Sequence, residues 1–151
     1  MQVEVDDLSG DAVRALLAAH LDGMRASSPP DSVHALDLSA LQTADMTVWT
    51  CRDQGEVLGV GALKQLSEDH GEIKSMRTDS RHLRKGVGLS ILEQIIAEAR
   101  SRGYRRLSLE TGSGEEFEPA LQMYRKRGFR NGPAFADYRA TDFNQFLHMD
   151  L

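Results

Sequence analysis

The chain has almost none of several residue types on which whole classes of function depend. Its single cysteine, Cys51, excludes an intrachain disulfide framework. Cys51 follows Val48-Trp49-Thr50 in a strand-like stretch, and it reads as a small packing residue, since a reactive thiol needs a base or cation beside it. No apolar run approaches the roughly 20 residues that span a bilayer. The acidic opening, Met1-Gln2-Val3-Glu4-Val5-Asp6-Asp7, lacks the basic and apolar regions of a secretory signal. A cytoplasmic location, away from membranes, is the expectation. An excess of base is missing too. Lys and Arg number 18 against 23 Asp and Glu, for a net charge of −5, which is the wrong sign for gripping a nucleic-acid backbone. The five histidines (His20, His34, His70, His82 and His148) show no ligand spacing such as H-x-x-x-H, so no metal is expected.

What is present is a globular composition, 40% hydrophobic and 27% charged. The length suits one domain, residues 1–151, around one core. Val3 to Asp6 reads as a first strand. Ser9 is placed to cap a helix whose apolar residues Val13, Leu16, Leu17, Leu21 and Met24 recur at helical spacing, and Ser27-Ser28-Pro29-Pro30 stops it. Asp31 to Ala44 is polar and mixed, with a short helix near Leu38 to Leu41, and is read as a mobile segment facing substrate. Three strands, Thr47 to Arg52, Val57 to Leu66 and Glu72 to Thr78, are joined by short turns, which implies an antiparallel meander. A helix from Gly88 to Arg102 carries Leu89, Ile91, Leu92, Ile95, Ile96 and Ala99 inward and stops at Gly103. Arg105 to Glu110 is the next strand, so strand, helix and strand form a right-handed βαβ crossover with a parallel pair. A second helix tolerates Pro119 in its first turn, packs Ala120, Leu121, Met123 and Tyr124 on the sheet, and ends at Gly128. Strands at Phe129 to Pro133 and Phe146 to Met149 complete a mixed α/β sheet.

The junction Leu83-Arg84-Lys85-Gly86-Val87-Gly88 opens the amphipathic helix. Glycines at a helix start make a phosphate cradle: unbonded N–H groups point outward, the dipole adds positive character, and missing side chains admit an anion. Arg77, Arg81, Arg84 and Lys85 cluster nearby, which on an acidic chain suits a small polyanion better than a duplex. A nucleotide P-loop is disfavoured because no Lys-Ser/Thr pair follows Gly-Val-Gly.

Three pieces, in this order and spacing, resemble the GNAT N-acetyltransferase superfamily across most of the chain, most strongly from Trp49 to Phe129. They are the strand Gly71-Glu72-Ile73-Lys74-Ser75-Met76-Arg77-Thr78 running into the glycine turn, the strand end Leu107-Ser108-Leu109-Glu110-Thr111, and Ala120-Leu121-Gln122-Met123-Tyr124-Arg125-Lys126-Arg127-Gly128-Phe129. The wording Gly71 to Arg77 and Leu109-Glu110-Thr111-Gly112 is similar to that of one small bacterial subgroup. The resemblance implies a GNAT fold: a twisted, mostly antiparallel sheet of six to seven strands, a central parallel βαβ crossover and flanking helices. It implies acetyl-CoA as co-substrate, with direct transfer of its acetyl group to an amine in a ternary complex. The turn from Leu83 through Arg84, Lys85, Gly86, Val87 and Gly88 to Leu89 and Ser90 would hold the pyrophosphate. Leu83 departs from the family's usual Arg or Gln at that position. The backbone of Met76, Arg77 and Thr78 would run beside the pantetheine arm, with the Met76 N–H as oxyanion donor. At Gly112-Ser113-Gly114 many relatives place an asparagine against that arm, so this contact is left unassigned.

Transfer to an amine requires loss of the ammonium proton, polarisation of the thioester carbonyl, and a proton for the leaving thiolate. By resemblance Glu72 is the general base, acting through water, and Tyr124 the general acid. Glu110, where the parallel strands part, is a rival base. Glu72 as a strand carboxylate paired with Lys64 or Lys74, and Tyr124 as a half-buried ring, are the plainer alternatives. Lys64, Lys74 and Arg77 lie near the acceptor side; they either read an acceptor's carboxylate or phosphate, or pair with Glu72 or Glu110. The functional readings are therefore a small-molecule N-acetyltransferase, an acyl-CoA sensor without catalysis, and a protein-directed acetyltransferase. Phe135, Tyr138, Phe143 and Phe146 suit either a homodimer interface or the core.

Overall fold

The computed structural model describes residues 1–33 and 37–151. Seven strands form one sheet in the order β1-β2-β3-β4-β5-β7-β6. They are β1 (Gln2–Val5), β2 (Met46–Asp53), β3 (Glu56–Gln65), β4 (His70–Thr78), β5 (Arg106–Thr111), β6 (Arg130–Asn131) and β7 (Gln145–Asp150). Neighbours are antiparallel except β4 and β5. The helices are α1 (Asp11–Ser27), α2 (Leu38–Leu41), α3 (Val87–Ser101) and α4 (Glu118–Arg127). Mixed α/β architecture, the antiparallel meander and the parallel crossover are all as the sequence pattern predicts.

β3 explains the layering. Residues Val57–Leu63 are buried without alternation, because the strand is covered on both faces. On one face α3 inserts Ile91, Leu92, Ile95, Ile96 and Ala99 into a core with Leu107, Leu109, Leu121 and Phe129. Gly59 and Gly61 allow this approach, since a Cβ at either would collide with Val87 or with Met76 and Ile91. On the other face α1 and Leu41 of α2 pack Val13, Leu16 and Leu17 on Val48, Val60 and Ala62.

Local differences from the sequence pattern have identifiable causes. Ser9 does not cap α1, because Asp7 accepts both its N–H and its hydroxyl, and Gly10 takes the cap position. Leu89 is not inward: it is 45% exposed, on the flank of α3 that faces the cleft described below. The segment Asp31 to Ala44 contains the expected short helix at Leu38–Leu41, but residues 34–36 at its centre lie outside the described residues. The C-terminal aromatic residues pack within the chain: Phe135 meets Tyr138, Phe146 and His148 at 5.2, 5.9 and 5.6 Å, and Phe143 meets Phe117 at 5.5 Å.

Two irregularities shape the centre of the sheet. The parallel pairing of β4 with β5 consists of His70↔Arg106, Gly71↔Leu107 and Glu72↔Ser108, after which the strands part. Further along β4, the register against β3 moves three residues, Lys74 to Arg77, while β3 moves two, Ala62 to Val60. The extra residue is a bulge at Ser75, whose φ of 56° is in the left-handed region.

Candidate active site

A cleft of about 720 Å³ opens where β4 and β5 part. Its walls are β4 from Glu72 to Thr78, the end of β5 from Leu109 to Thr111, the start of α3, the inner side of α4 and the C-terminal half of α1. Such a volume suits a small-molecule site.

At one end stands the glycine turn. Gly86 caps α3 in the left-handed conformation, φ 82°, and Arg84 before it also has positive φ, 63°. No side chain caps the helix, so its first-turn N–H groups remain available to an anion. At Gly88 a Cβ would lie 3.3 Å from Met123 Sδ and 3.7 Å from Thr78 Oγ1, so glycine keeps this floor open. Leu83, Arg84, Gly86, Val87, Gly88 and Leu89 all line the cleft, together with Met76, Arg77 and Thr78. Two expected members do not. Lys85 turns away, its Nζ 3.1 Å from His82 Nδ1, and the Ser90 hydroxyl donates to the Gly86 carbonyl at 2.9 Å.

At the centre lie Glu72, Lys74 and Glu110, on the sheet face away from α3, with Tyr138 bonded to the first two although it does not itself line the cleft. Glu72 is 2% exposed. Lys74 Nζ donates to Glu72 Oε2 at 3.2 Å and to the Tyr138 oxygen at 2.6 Å, while the Tyr138 hydroxyl donates to the same Glu72 oxygen. This closed ring satisfies a buried charge pair that would otherwise be costly. Burial first, then the neighbouring Glu72 carboxylate, pushes the Tyr138 phenol well above its ordinary range. Glu110 differs. Burial lifts its carboxyl from 4.5 to about 7; Lys74 and a hydrogen bond with Asn144 offset part of that rise, and Glu72 adds to it. Two carboxylates thus share one ammonium, and Glu110 is the one that titrates near neutrality.

Tyr124, from α4, is 4% exposed and lines the cleft, with its ring 5.7 Å from Phe129. Burial raises its phenol above the ordinary value, so the proton is retained. Lys64 faces Glu72 in the β3–β4 register, yet it neither pairs with that carboxylate nor lines the cleft. Arg77 reaches the opposite wall: its guanidinium lies against α1 at Gly23, beside His20. His20 is 7% exposed, and burial followed by the Arg77 charge lowers its pKa to about 4.

Sequence reasoning missed three participants. Tyr138 lies in the irregular stretch before β7, where no periodicity separates it from neighbouring aromatics that suit either an interface or the core. His20 occupies an ordinary helical position on α1. The Ser75 bulge leaves no trace in residue type, since serine has no preference for positive φ.

A splayed sheet with a glycine-capped helix at the mouth of the gap thus encloses a titratable carboxylate and a protonated tyrosine. Residues 13–129 match the acetyltransferase (GNAT) family, and the chain belongs to that family. It is 51% identical to the uncharacterised N-acetyltransferase YsnE of Bacillus subtilis, with all of both chains aligned. Its fold is similar to that of a Klebsiella pneumoniae protein assigned as an acyl-CoA N-acyltransferase (TM-score 0.83, 29% identity, 99% and 97% of the two chains). It is also similar to a Bacillus subtilis acetyltransferase solved with CoA (TM-score 0.73, 18% identity, 99% and 98%).

Proposed function

We propose that the protein transfers an acetyl group from acetyl-CoA to the amine of a small molecule, both bound in the cleft. The observation that carries this reading is one continuous cleft joining the bare N-terminus of α3 to Glu110 and Tyr124. The glycine turn and Arg84 fit a pyrophosphate, and the parted edges of β4 and β5 fit an extended polar chain. The open space around Gly86, and the absence of a side chain at Gly88 where a Cβ would crowd Met123 and Thr78, support that fit. The CoA-bound structural neighbour supports the same choice of donor. When bound, acetyl-CoA supplies the activated thioester.

The chain's own residues supply the rest. Glu110 accepts the proton of the incoming ammonium, because a carboxyl with pKa about 7 is both substantially ionised and basic at neutral pH. Glu72, proposed by resemblance as the base, has the oxygen that faces Lys74 committed to both Lys74 and Tyr138. Its role in this reading is to hold Lys74 beside Glu110. Tyr124 keeps its proton and delivers it to the departing sulfur. The Met76 N–H polarises the carbonyl.

The test is a thermal shift with millimolar CoA, followed by thiol release from acetyl-CoA with a panel of amines. Wild type, Glu110→Gln, Glu72→Gln and Tyr124→Phe are compared. A shift with CoA, turnover of at least one amine, and loss of turnover in Glu110→Gln and Tyr124→Phe are expected. No shift with CoA refutes the donor assignment; a shift without turnover of any amine gives the sensor reading the advantage.

A further inference from the structure

We propose that Arg77 binds a carboxylate carried by the acetyl acceptor, so that the substrate is an amine with an acid group, of the amino-acid kind. This rests on the acetyl-transfer reading and adds the chemistry of its acceptor.

The bulge provides the first argument. With regular alternation, Ile73, Ser75 and Arg77 would share one face of β4, the face packed by α3. The extra residue at Ser75 reverses this beyond it. Met76 joins the α3 core against Ile91, and Arg77 emerges on the face that holds Glu72, Lys74 and Glu110. A serine held at φ 56° is a strained device, and its result is a guanidinium on the acceptor side of the sheet.

Charge provides the second. Among the described residues Arg77 has no ion pair and no hydrogen-bonded partner. The carboxylates on its face are engaged elsewhere: Glu72 with Lys74 and Tyr138, and Glu110 with Asn144. His20 beside it is neutral at physiological pH. A cation in the wall of a cleft, with its neighbouring acids already satisfied, calls for an anion from the ligand. Gly23 supplies the third argument. A Cβ there would come within 3.1 Å of Arg77 Nη1, so α1 carries a glycine in its interior where the guanidinium rests. Glycine is a poor helix former, and here it shapes a seat.

Protein amino acids are compared as acceptors with their carboxamides, in wild type, Arg77→Met and Gly23→Ala. One charge-assisted fork should favour the best acid over its amide by about 10- to 100-fold in kcat/KM, expressed in KM. Arg77→Met should bring acid and amide level while the thermal shift with CoA stays unchanged. Gly23→Ala, which displaces only the tip of a flexible side chain, should weaken the preference partially. Equal use of acids and amides by wild type would overturn the proposal, as would a preference that survives Arg77→Met. Loss of the CoA shift in Arg77→Met would also overturn it, by assigning the guanidinium to a cofactor phosphate. A readout without turnover separates the two readings: saturation-transfer NMR of CoA-loaded protein with N-acetylglycine and N-acetylglycinamide. Selective binding of the acid, abolished by Arg77→Met, supports the carboxylate site even if no amine is acetylated, an outcome that sinks acetyl transfer alone. Equal signals from the two probes sink the carboxylate site.

Discussion

Replacing Glu110 by Gln should stabilise the protein at high pH and disable it at every pH. The folded carboxyl binds its proton more tightly than the unfolded one, at about 7 against 4.5. Between those values the folded state holds a proton that the unfolded state has released, so stability falls as pH rises through this window. The full shift corresponds to about 3 kcal/mol, and screening of a partly exposed carboxylate reduces it to about 1–2 kcal/mol. Glutamine keeps the shape and a hydrogen-bonding oxygen for Asn144 while removing the charge that burial opposes. Glu110→Gln should therefore melt about 3–8 °C above wild type at pH 8, with the gap shrinking to a fraction of that at pH 5. Its kcat should fall by about 100-fold or more. The rise of wild-type rate through pH 7 should disappear. Differential scanning calorimetry at the two pH values, with a pH–rate profile, checks both halves. A melting difference that is the same at pH 5 and pH 8, or an unchanged rate profile, would refute the assignment of Glu110 as a buried, titrating base.

Three further outcomes follow from the same geometry. Lys74→Met leaves Glu72 buried with, among the described residues, only the Tyr138 hydroxyl as side-chain partner and should destabilise by about 3 kcal/mol in urea denaturation; because Lys74 lowers the Glu110 pKa, it should also move the pH–rate limb to higher pH. Tyr124→Phe should change stability by less than about 0.5 kcal/mol, since among the described residues its hydroxyl has no bonded partner. It should cut kcat by at least about tenfold, with the KM for acetyl-CoA unchanged in steady-state assays. Gly86→Ala places a Cβ at φ 82°, which should cost about 1 kcal/mol of stability. It should also weaken CoA binding measurably by isothermal titration calorimetry.

Much of this organisation was legible because each element announces itself locally. Helical spacing from Ile91 to Ala99, the glycine stops at Gly103 and Gly128, and the short turn at Gly55 each have a direct physical cause, and the crossover follows from their order. The bare helix start, proposed as the donor side, was legible for the same reason, as a local property of Gly86 and Gly88. The proposed acceptor side was not, because it is assembled from residues far apart in the chain. Tyr138 meets Glu72 and Lys74 across 66 and 64 positions. The candidates Lys64, Lys74 and Arg77 looked alike in sequence, yet one pairs with Glu72, one stays off the cleft, and one crosses to α1 because of a bulge. The choice between Glu72 and Glu110 depends on which carboxylate the lysine ion-pairs with, and strand pattern does not encode that. The cap of α1 shows a smaller version of the problem, since Asp7 and Gly10 competed with Ser9 within a few residues.

The short parallel joint between β4 and β5 bears on how long the protein survives. Among the described residues, only His70, Gly71 and Glu72 of β4 tie one half of the sheet to the other by strand pairing; beyond them, main-chain groups of both strands face a gap. This seam is where local opening should cost least. A molecule that spans it would stabilise the native state by about 2.7 kcal/mol when present at a hundredfold excess over its Kd. Protease resistance and amide exchange at Met76 and Thr78 would then gauge occupancy. If the donor binds as proposed, the enzyme would be longest-lived when that donor is plentiful and vulnerable to turnover when its supply runs down.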